Sequence, residues 1–551
     1  MTVPSRTALA ISQRLRKLLF ASTALVTLGV GALPCYAAPA LSKPSAAPSR
    51  TSIITTDAVI YGATPGGIAA AIALRREGLS VTILEPSEHI GGMTTSGLGG
   101  ADICAHMYIG GLARRFFEKV GQHYNQKLGF RFEPHIAARI FSEMLRDHQV
   151  KVLTGTRLVM AQVGDTQSAG RRVLEVKSES GIIYRGKYFV DATYEGDLLA
   201  LSGVSFAVGR EGREKYGEPL AGFITTAIPK HHDWATPVNP YKADGSLVPH
   251  ILPDPKSAPG AGDSKVPAFN FRIIVTDNPE NRVPFTRPEK YDEGEFELLA
   301  RYLEANPSIL ISDLLTILNI PAGKMDINNK GPFSTNLVGG NYRWIEGDTS
   351  TRREIWLEHK RYTQALLYFL TSSPRVPRQV RDVMSTWGYA KDEFVSSNNW
   401  PPQLYVRVGR RLLGEYVMTT HDTVENRLKP DPVAIASCPL ESHHVQRIAV
   451  EGRAVNEGYV RGETLPYHIP LRSLLPRRDE AENLIVPVSI SASHLAFSSL
   501  RMEPVFMIMG ESAGIAISIA NKQGQALHDI DPKKLQKSLI SRKQRITLRK
   551  R

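Results

Sequence analysis

Asp57-Ala-Val-Ile-Tyr-Gly62-Ala-Thr64-Pro-Gly66-Gly67-Ile-Ala-Ala-Ala-Ile-Ala-Leu-Arg-Arg-Glu-Gly78-Leu-Ser-Val-Thr-Ile-Leu-Glu85 contains a strand, a glycine turn, a helix, a second strand and an acid, in that order. The apolar run 58–61 predicts the first strand and 81–84 the second. Between them the turn Gly62, Gly66, Gly67 opens a helix whose N-terminal N–H groups can face a pyrophosphate. Glu85 closes the second strand at the spacing where an acid bonds ribose hydroxyls. The unit predicts an adenine dinucleotide, and the carboxylate at Glu85 disfavours a 2′-phosphorylated ribose. One position departs from the pattern: Thr64 stands where glycine usually lets the backbone approach the phosphates.

Working outward, the N-terminal side is a targeting segment. Arg6, Arg14, Arg16 and Lys17 precede an apolar run from Leu18 to Leu33, and small residues end at Cys35-Tyr36-Ala37. This predicts a signal peptide over 1–37 and a periplasmic or secreted protein. The run is short for a membrane span and is broken by Ser22, Thr23 and Thr27, so no stable span is expected after cleavage. Residues 38–52, rich in Ala, Pro and Ser, read as a flexible linker. The 551 residues carry a formal charge of +13, part of it in a basic tail over 526–551. That tail has no aromatic residue, which argues against nucleic acid. Of three cysteines, Cys104 and Cys438 lie beyond the signal. Two thiols cannot hold an iron–sulfur cluster. A disulfide between them, a redox or flavin-attachment role for Cys104, and a buried thiol remain open, the last being the expectation for Cys104.

On the C-terminal side, Gly91-Gly92-Met93 begins a second glycine-rich loop, and Lys151–Leu153 reads as a third parallel strand. A hairpin over Arg172–Val190 runs into Asp191-Ala192-Thr193-Tyr194-Glu195-Gly196-Asp197. From 205 to 437 the pattern changes to an inserted α+β substrate or cap domain, with its clearest helix over Arg352–Thr371. Asn483–Ser489 reads as a buried strand and Val505–Asn521 as a helix. The expected architecture is α/β: a Rossmann-like dinucleotide domain split into 53–204 and 438–525 around that insertion. No second Gly-x-Gly-x-x-Gly follows a strand, so no separate nicotinamide domain is expected.

The turn, Gly91-Gly92-Met, Asp191-Ala-Thr-Tyr-Glu-Gly-Asp197, Tyr405-Val-Arg407-Val-Gly-Arg410-Arg411, Pro466-Tyr-His-Ile-Pro470 and Ser491-Ala-Ser-His494-Leu-Ala-Phe-Ser-Ser-Leu-Arg501-Met-Glu-Pro together resemble bacterial FAD-dependent oxidoreductases. Some members of that family are labelled xanthan lyase-related. The resemblance covers about Asp57 to Gln523. It implies a glutathione-reductase-like FAD fold, distantly similar to the flavin domain of the heterodisulfide reductase A subunit, and Thr64 is ordinary within it. It further implies that FAD is held by Gly62, Thr64, Gly66, Gly67, Glu85, Gly91, Gly92, Met93, Asp191, Ala192, Ser491 and Gly510. Met93, Ser491 and His494 are expected near the flavin ring, with the helix after Glu503 aimed at its N1/O2 edge.

For chemistry, dehydrogenation needs a base for the O–H or N–H proton while hydride leaves carbon for flavin N5. His494 and His443 are the candidate bases. Arg407 and Arg501, with Arg410 and Arg411, are candidates for an anionic or polyhydroxyl small-molecule substrate. No metal site is expected, because His443-His444 lacks a spaced third ligand. Gly510-Glu-Ser512-Ala-Gly514 spells Gly-x-Ser-x-Gly, but inside a predicted helix rather than on a nucleophile elbow. The expected activity is oxidation of a small organic substrate, carbohydrate-derived by the resemblance alone. An amine oxidase, a non-catalytic flavin protein and a nicotinamide enzyme with one nucleotide site are the alternatives. The electron acceptor, whether oxygen, a quinone or a soluble carrier, is not encoded in any motif.

Overall fold

The computed structural model describes residues 52–548 apart from 103, 166–169, 226–231 and 426. The expected signal peptide over 1–37 and nearly all of the expected linker over 38–52 lie outside the described residues.

The central sheet is built as the opening stretch predicts. Strands β1 (Ile53–Tyr61) and β2 (Val81–Leu84) pair in parallel and flank helix α1 (Pro65–Arg76). Thr64 caps α1, its hydroxyl accepting from the Gly67 N–H at 3.3 Å, and Pro65 follows at the first helical position. Helices α2 (Gly111–His123) and α3 (Pro134–Asp147) lead to β3 (Lys151–Leu153), which joins β2 in parallel. Strands β4 (Leu158–Asp165), β5 (Arg171–Ser178) and β6 (Ile183–Asp191) form an antiparallel meander, and β6 returns parallel beside β1. The order is β3-β2-β1-β6-β5-β4. β4 is an addition to the predicted pattern: only Leu158 is buried, and its apolar Val159 and Met160 face solvent, which leaves no buried run to read.

After the short helix α4 (Asp197–Leu201), a second sheet forms from β7 (Ile273–Thr276), β8 (Arg282–Pro284), β9 (Leu315–Ile320), β10 (Lys324–Asn329) and β11 (Gly388–Ala390), in the order β8-β11-β7-β10-β9. Helix α5 (Thr349–Ser372) is capped by Asp348 and buries Ile355, His359, Tyr362, Leu366 and Phe369, the side predicted for it. The chain then returns to the first sheet. β12 (Leu484–Ile485), a two-residue piece of the longer strand expected, pairs with β6. Helix α6 (His494–Leu500) and helix α7 (Glu503–Gln523) follow, and α8 (Pro532–Ser541) buries Leu535 and Leu539. Among the described residues α7 alone is long and apolar enough to cross a membrane, and it is buried inside the protein over that stretch.

Cys104 and Cys438 form a disulfide with Cα atoms 5.2 Å apart. This corrects the expectation of a buried free thiol at Cys104: the glycine-loop segment and the strand region near 438 converge although 334 residues separate them.

Helices α1 and α7 cross at glycine. A Cβ on Gly510 would sit 2.0 Å from the Gly66 carbonyl oxygen, which belongs to backbone and cannot swing aside. Gly510→Ala is therefore expected to lower stability by about 3 kcal/mol or more, the upper range for overpacking a core, read as a shift of the urea midpoint.

Candidate active site

Register brings the dinucleotide residues together. Tyr61 pairs with Leu84 on one side and Asp191 on the other, so Gly62, Glu85 and Ala192 leave the sheet side by side at one end. Gly62 has φ +101°, and a Cβ there would lie 2.8 Å from the Ala192 carbonyl carbon. Thr64 turns its side chain back toward β6. Its hydroxyl donates to the Ala192 carbonyl at 2.7 Å while capping α1. The departure at the second glycine position is thus a cap linking the turn to β6.

The Glu85 carboxylate accepts from the Ala63 N–H at 2.7 Å and from the Ser87 N–H and hydroxyl at 2.8 and 2.6 Å. Burial raises its pKa, opposed by these hydrogen bonds. Gly91 donates to the Ala63 carbonyl at 2.8 Å, which seats the second glycine loop on the first turn. Met93 N–H donates to the Tyr194 hydroxyl at 2.9 Å, and that hydroxyl donates to Glu503 at 2.8 Å. This chain joins the second loop, the end of β6 and the start of α7. Asp191 uses both carboxylate oxygens internally, on Thr193 and on the Leu199 N–H. It shapes the bend after β6, and burial moves its pKa up to about 6.

At the N-terminal end of α7 lies a cavity of about 610 Å³, in the range of small-molecule sites. Its wall includes Asp102, Cys104, Tyr405, His443, Arg461 and Arg501. A narrow slot lined by Tyr194, Arg407, Glu503 and Phe506 adjoins it through Tyr405 and Arg501, which border both. Arg501 donates to the Tyr405 hydroxyl at 2.9 Å and to the Glu441 carbonyl at 3.0 Å. Burial, reinforced by Arg407 and Arg501, drives the His443 pKa well below its ordinary value. The imidazole is therefore neutral at physiological pH and a weaker base than an ordinary histidine.

The other expected chemical residues sit elsewhere. His494 is not on the cavity wall. It is the first residue of α6, its ring bonded to the Ser442 hydroxyl at 2.9 Å and its N–H to Glu211 at 2.8 Å. Burial and Arg411 lower its pKa to about 3. Ser491 is also internal, accepting from the Gly414 N–H at 3.1 Å. Gly510 is a helix crossing point, packed on the Gly66 carbonyl. Arg410 pairs with Asp197 at 2.9 Å and Arg411 with Glu211 at 2.6 Å, so neither is offered to a substrate. Arg407 borders the slot and not the cavity. Ser512 is buried within α7 and donates to the Val433 carbonyl at 2.8 Å.

Residues missed by the sequence reading include Asp102, Arg461 and the carboxyl of Glu503. Arg461 could have been found through its strand: it lies opposite Glu441, two residues before His443. Asp102 follows a glycine loop and carries no local signal. Glu133, His135 and Glu393 cluster as metal ligands might, but the Lys324 ammonium already lies 2.7 Å from Glu133 and 2.8 Å from Glu393.

Glu503 has a sharp consequence. Burial moves its pKa up to about 8 from 4.5. Above pH 4.5 the unfolded chain has released this proton while the folded chain keeps it, so stability falls as pH rises and levels off above pH 8. Over that window the loss amounts to roughly 4–5 kcal/mol. Glu503→Gln is expected to flatten this part of the pH dependence, measured by urea titrations at pH 5.5 and 8.5.

The model of the family described as FAD dependent oxidoreductase matches residues 57–539. No curated protein sequence matches the chain. Among solved structures, THI4 of Thermovibrio ammonificans is 19% identical over 28% of this chain and 66% of its own, with a TM-score of 0.22. A cyclohexanone monooxygenase mutant from Rhodococcus sp. Phi1 is 22% identical over 25% of this chain and 26% of its own, TM-score 0.19. The bacillithiol disulfide reductase Bdr of Staphylococcus aureus is 15% identical over 29% and 43%, TM-score 0.18. The chain spans under two thirds of the length of each of these proteins. The residues present fit FAD: a glycine turn packed against β6, a capped helix N-terminus, an acid at the end of β2 and a second glycine loop converge at one sheet end. The chain belongs to the FAD dependent oxidoreductase family, and its cofactor is FAD.

Proposed function

We propose that the protein is an exported enzyme that oxidises a small polyhydroxy, carbohydrate-derived compound at a carbon bearing a hydroxyl group. The carrying observation is that His443 and Arg501 line one cavity at the N-terminal end of α7, and the slot adjoining it carries Tyr194 and Glu503, which are hydrogen-bonded to each other and, through Tyr194, to the Met93 N–H of the second glycine loop. FAD, when bound, supplies a two-electron acceptor for hydride. The chain's own residues do the rest. His443, on the cavity wall and unprotonated at neutral pH, takes the hydroxyl proton. Arg501, tied to Tyr405 and to the Glu441 carbonyl, orients the substrate through its remaining N–H donors. The Cys104–Cys438 disulfide on the cavity wall supports export, since such bonds persist in oxidising compartments. The electrons then pass to oxygen, a quinone or a soluble carrier.

The test is anaerobic. Purified yellow protein is mixed with sugars, sugar acids, polyols and amines, and loss of flavin absorbance is followed. Bleaching by a hydroxyl compound is expected; bleaching only by amines moves the reading to amine oxidation, and none with any donor leaves a flavin-binding protein without turnover. His443→Ala is expected to retain FAD while slowing reduction about 10²–10⁴-fold, the usual contribution of a general base. In the parent protein the reduction rate is expected to stay flat from pH 6 to 7, where an ordinary histidine titrates.

A further inference from the structure

Two guanidinium groups are held close together without a carboxylate partner. Arg407 and Arg501 lie 4.8 and 5.7 Å from the same Tyr405 ring centre. They are 1% and 5% exposed. Arg407 donates to the Ala268 carbonyl and, at 3.0 and 3.1 Å, to the side-chain oxygens of Asn270 and Asn329. Arg501 has the Tyr405 hydroxyl and the Glu441 carbonyl. All of these acceptors are neutral. Among the described residues no acid forms an ion pair with either arginine. Elsewhere in this protein buried arginines have acids: Arg210 has Asp263 and Glu457, Arg272 has Asp326, and Arg411 has Glu211.

An unpaired buried charge costs several kcal/mol, and a second like charge nearby adds to it. The strain is visible at Arg407, where burial and the charges of Arg501 and Arg272 bring even a guanidinium pKa down to about 9. Glu441 and Asp102 act on Arg407 and Arg501 through charge alone, and neither pairs with them. Glu503, across the slot, is protonated at neutral pH. Glu441 faces Arg461 across its strand pair and accepts from the Tyr459 hydroxyl at 3.2 Å. The cavity wall as a whole carries five cations, Arg131, Arg272, Lys330, Arg461 and Arg501, against the two carboxylates Asp102 and Glu441.

We infer that the cavity takes a substrate bearing a carboxylate, a hydroxy acid or sugar acid, with the carboxylate on Arg501 and Arg407 strengthening its hold from behind the wall. This rests on the oxidation reading and names its substrate class. Arginine presents paired N–H donors that match a carboxylate. Bound there, the carboxylate supplies the countercharge that the two arginines lack. It is not itself changed: the carbinol carbon loses its hydrogen as hydride and the hydroxyl loses its proton, so the alcohol becomes a carbonyl compound two electrons more oxidised.

The test uses the FAD-loaded protein and matched probes. Glycolate, D-gluconate and D-glucuronate are titrated against ethylene glycol, sorbitol and glucose by calorimetry and by the flavin difference spectrum. At least one acid is expected to bind tenfold or more tightly than its neutral partner, and to weaken as salt rises. Arg501→Met should remove that preference while FAD occupancy is unchanged; Arg501→Lys should keep part of it. Equal binding of acids and neutral partners, or an acid preference that survives Arg501→Met, overturns the inference. The two readings separate cleanly. An acid that binds without bleaching the flavin under anaerobic conditions upholds the anion site and counts against oxidation of that class. Bleaching by a neutral polyol with no acid preference upholds oxidation and assigns the arginines to the flavin instead.

Discussion

The backbone contact between α1 and α7 at Gly66 and Gly510 is the constraint on which the site depends. It joins two parts of the chain more than 400 residues apart. α1 begins at the dinucleotide turn and α7 begins at the cavity. Because the helices touch at glycine, backbone to backbone, their N-termini are held at a fixed offset with no side chain between them. Helix N-termini carry partial positive charge, so the crossing aims two such ends at one crevice. The Met93–Tyr194–Glu503 hydrogen bonds then brace that crevice from its other walls.

This dependence explains what was legible in the sequence. The turn, its strands and Glu85 are local: all lie within 29 residues, and strand alternation, glycine and an acid at fixed offset describe them fully. Thr64 was readable as a departure but not as a cap on the Ala192 carbonyl, because that partner lies 128 residues away. α5 was legible from its buried stripe. β4 was not, because apolar residues such as Val159 and Met160 face solvent and leave no one-sided stripe, and the five strands of the second sheet are too short and too mixed to announce themselves.

The cavity was less legible, for a related reason. Its wall draws on Asp102, Tyr405, His443, Arg461 and Arg501, which come from separate elements and share no motif spacing. His443 and His494 looked equivalent as residue types. Ser493 separates them: it caps α6, accepting from the Ala496 N–H at 3.1 Å, and this turns His494 into the Ser442–Glu211–Arg411 cluster. Likewise the arginines of Tyr405-Val-Arg407-Val-Gly-Arg410-Arg411 alternate in environment, and only the ion-pair geometry distinguishes the two structural ones.

The electrostatics of the region follow from burial acting on groups of opposite type. Burial disfavours charge of either sign. At Glu503 the response is protonation: burial outweighs the favour that the α7 N-terminus gives a carboxylate. At His443 it is loss of the proton, leaving a neutral base. Arginine cannot respond in the same way, because its intrinsic pKa lies so high that even a depressed value near 9 leaves it charged at pH 7. The result is a crevice in which the acid and the base have both been neutralised while the two guanidinium groups remain cationic. Positive potential therefore concentrates at the junction of slot and cavity, where negative charge is best tolerated.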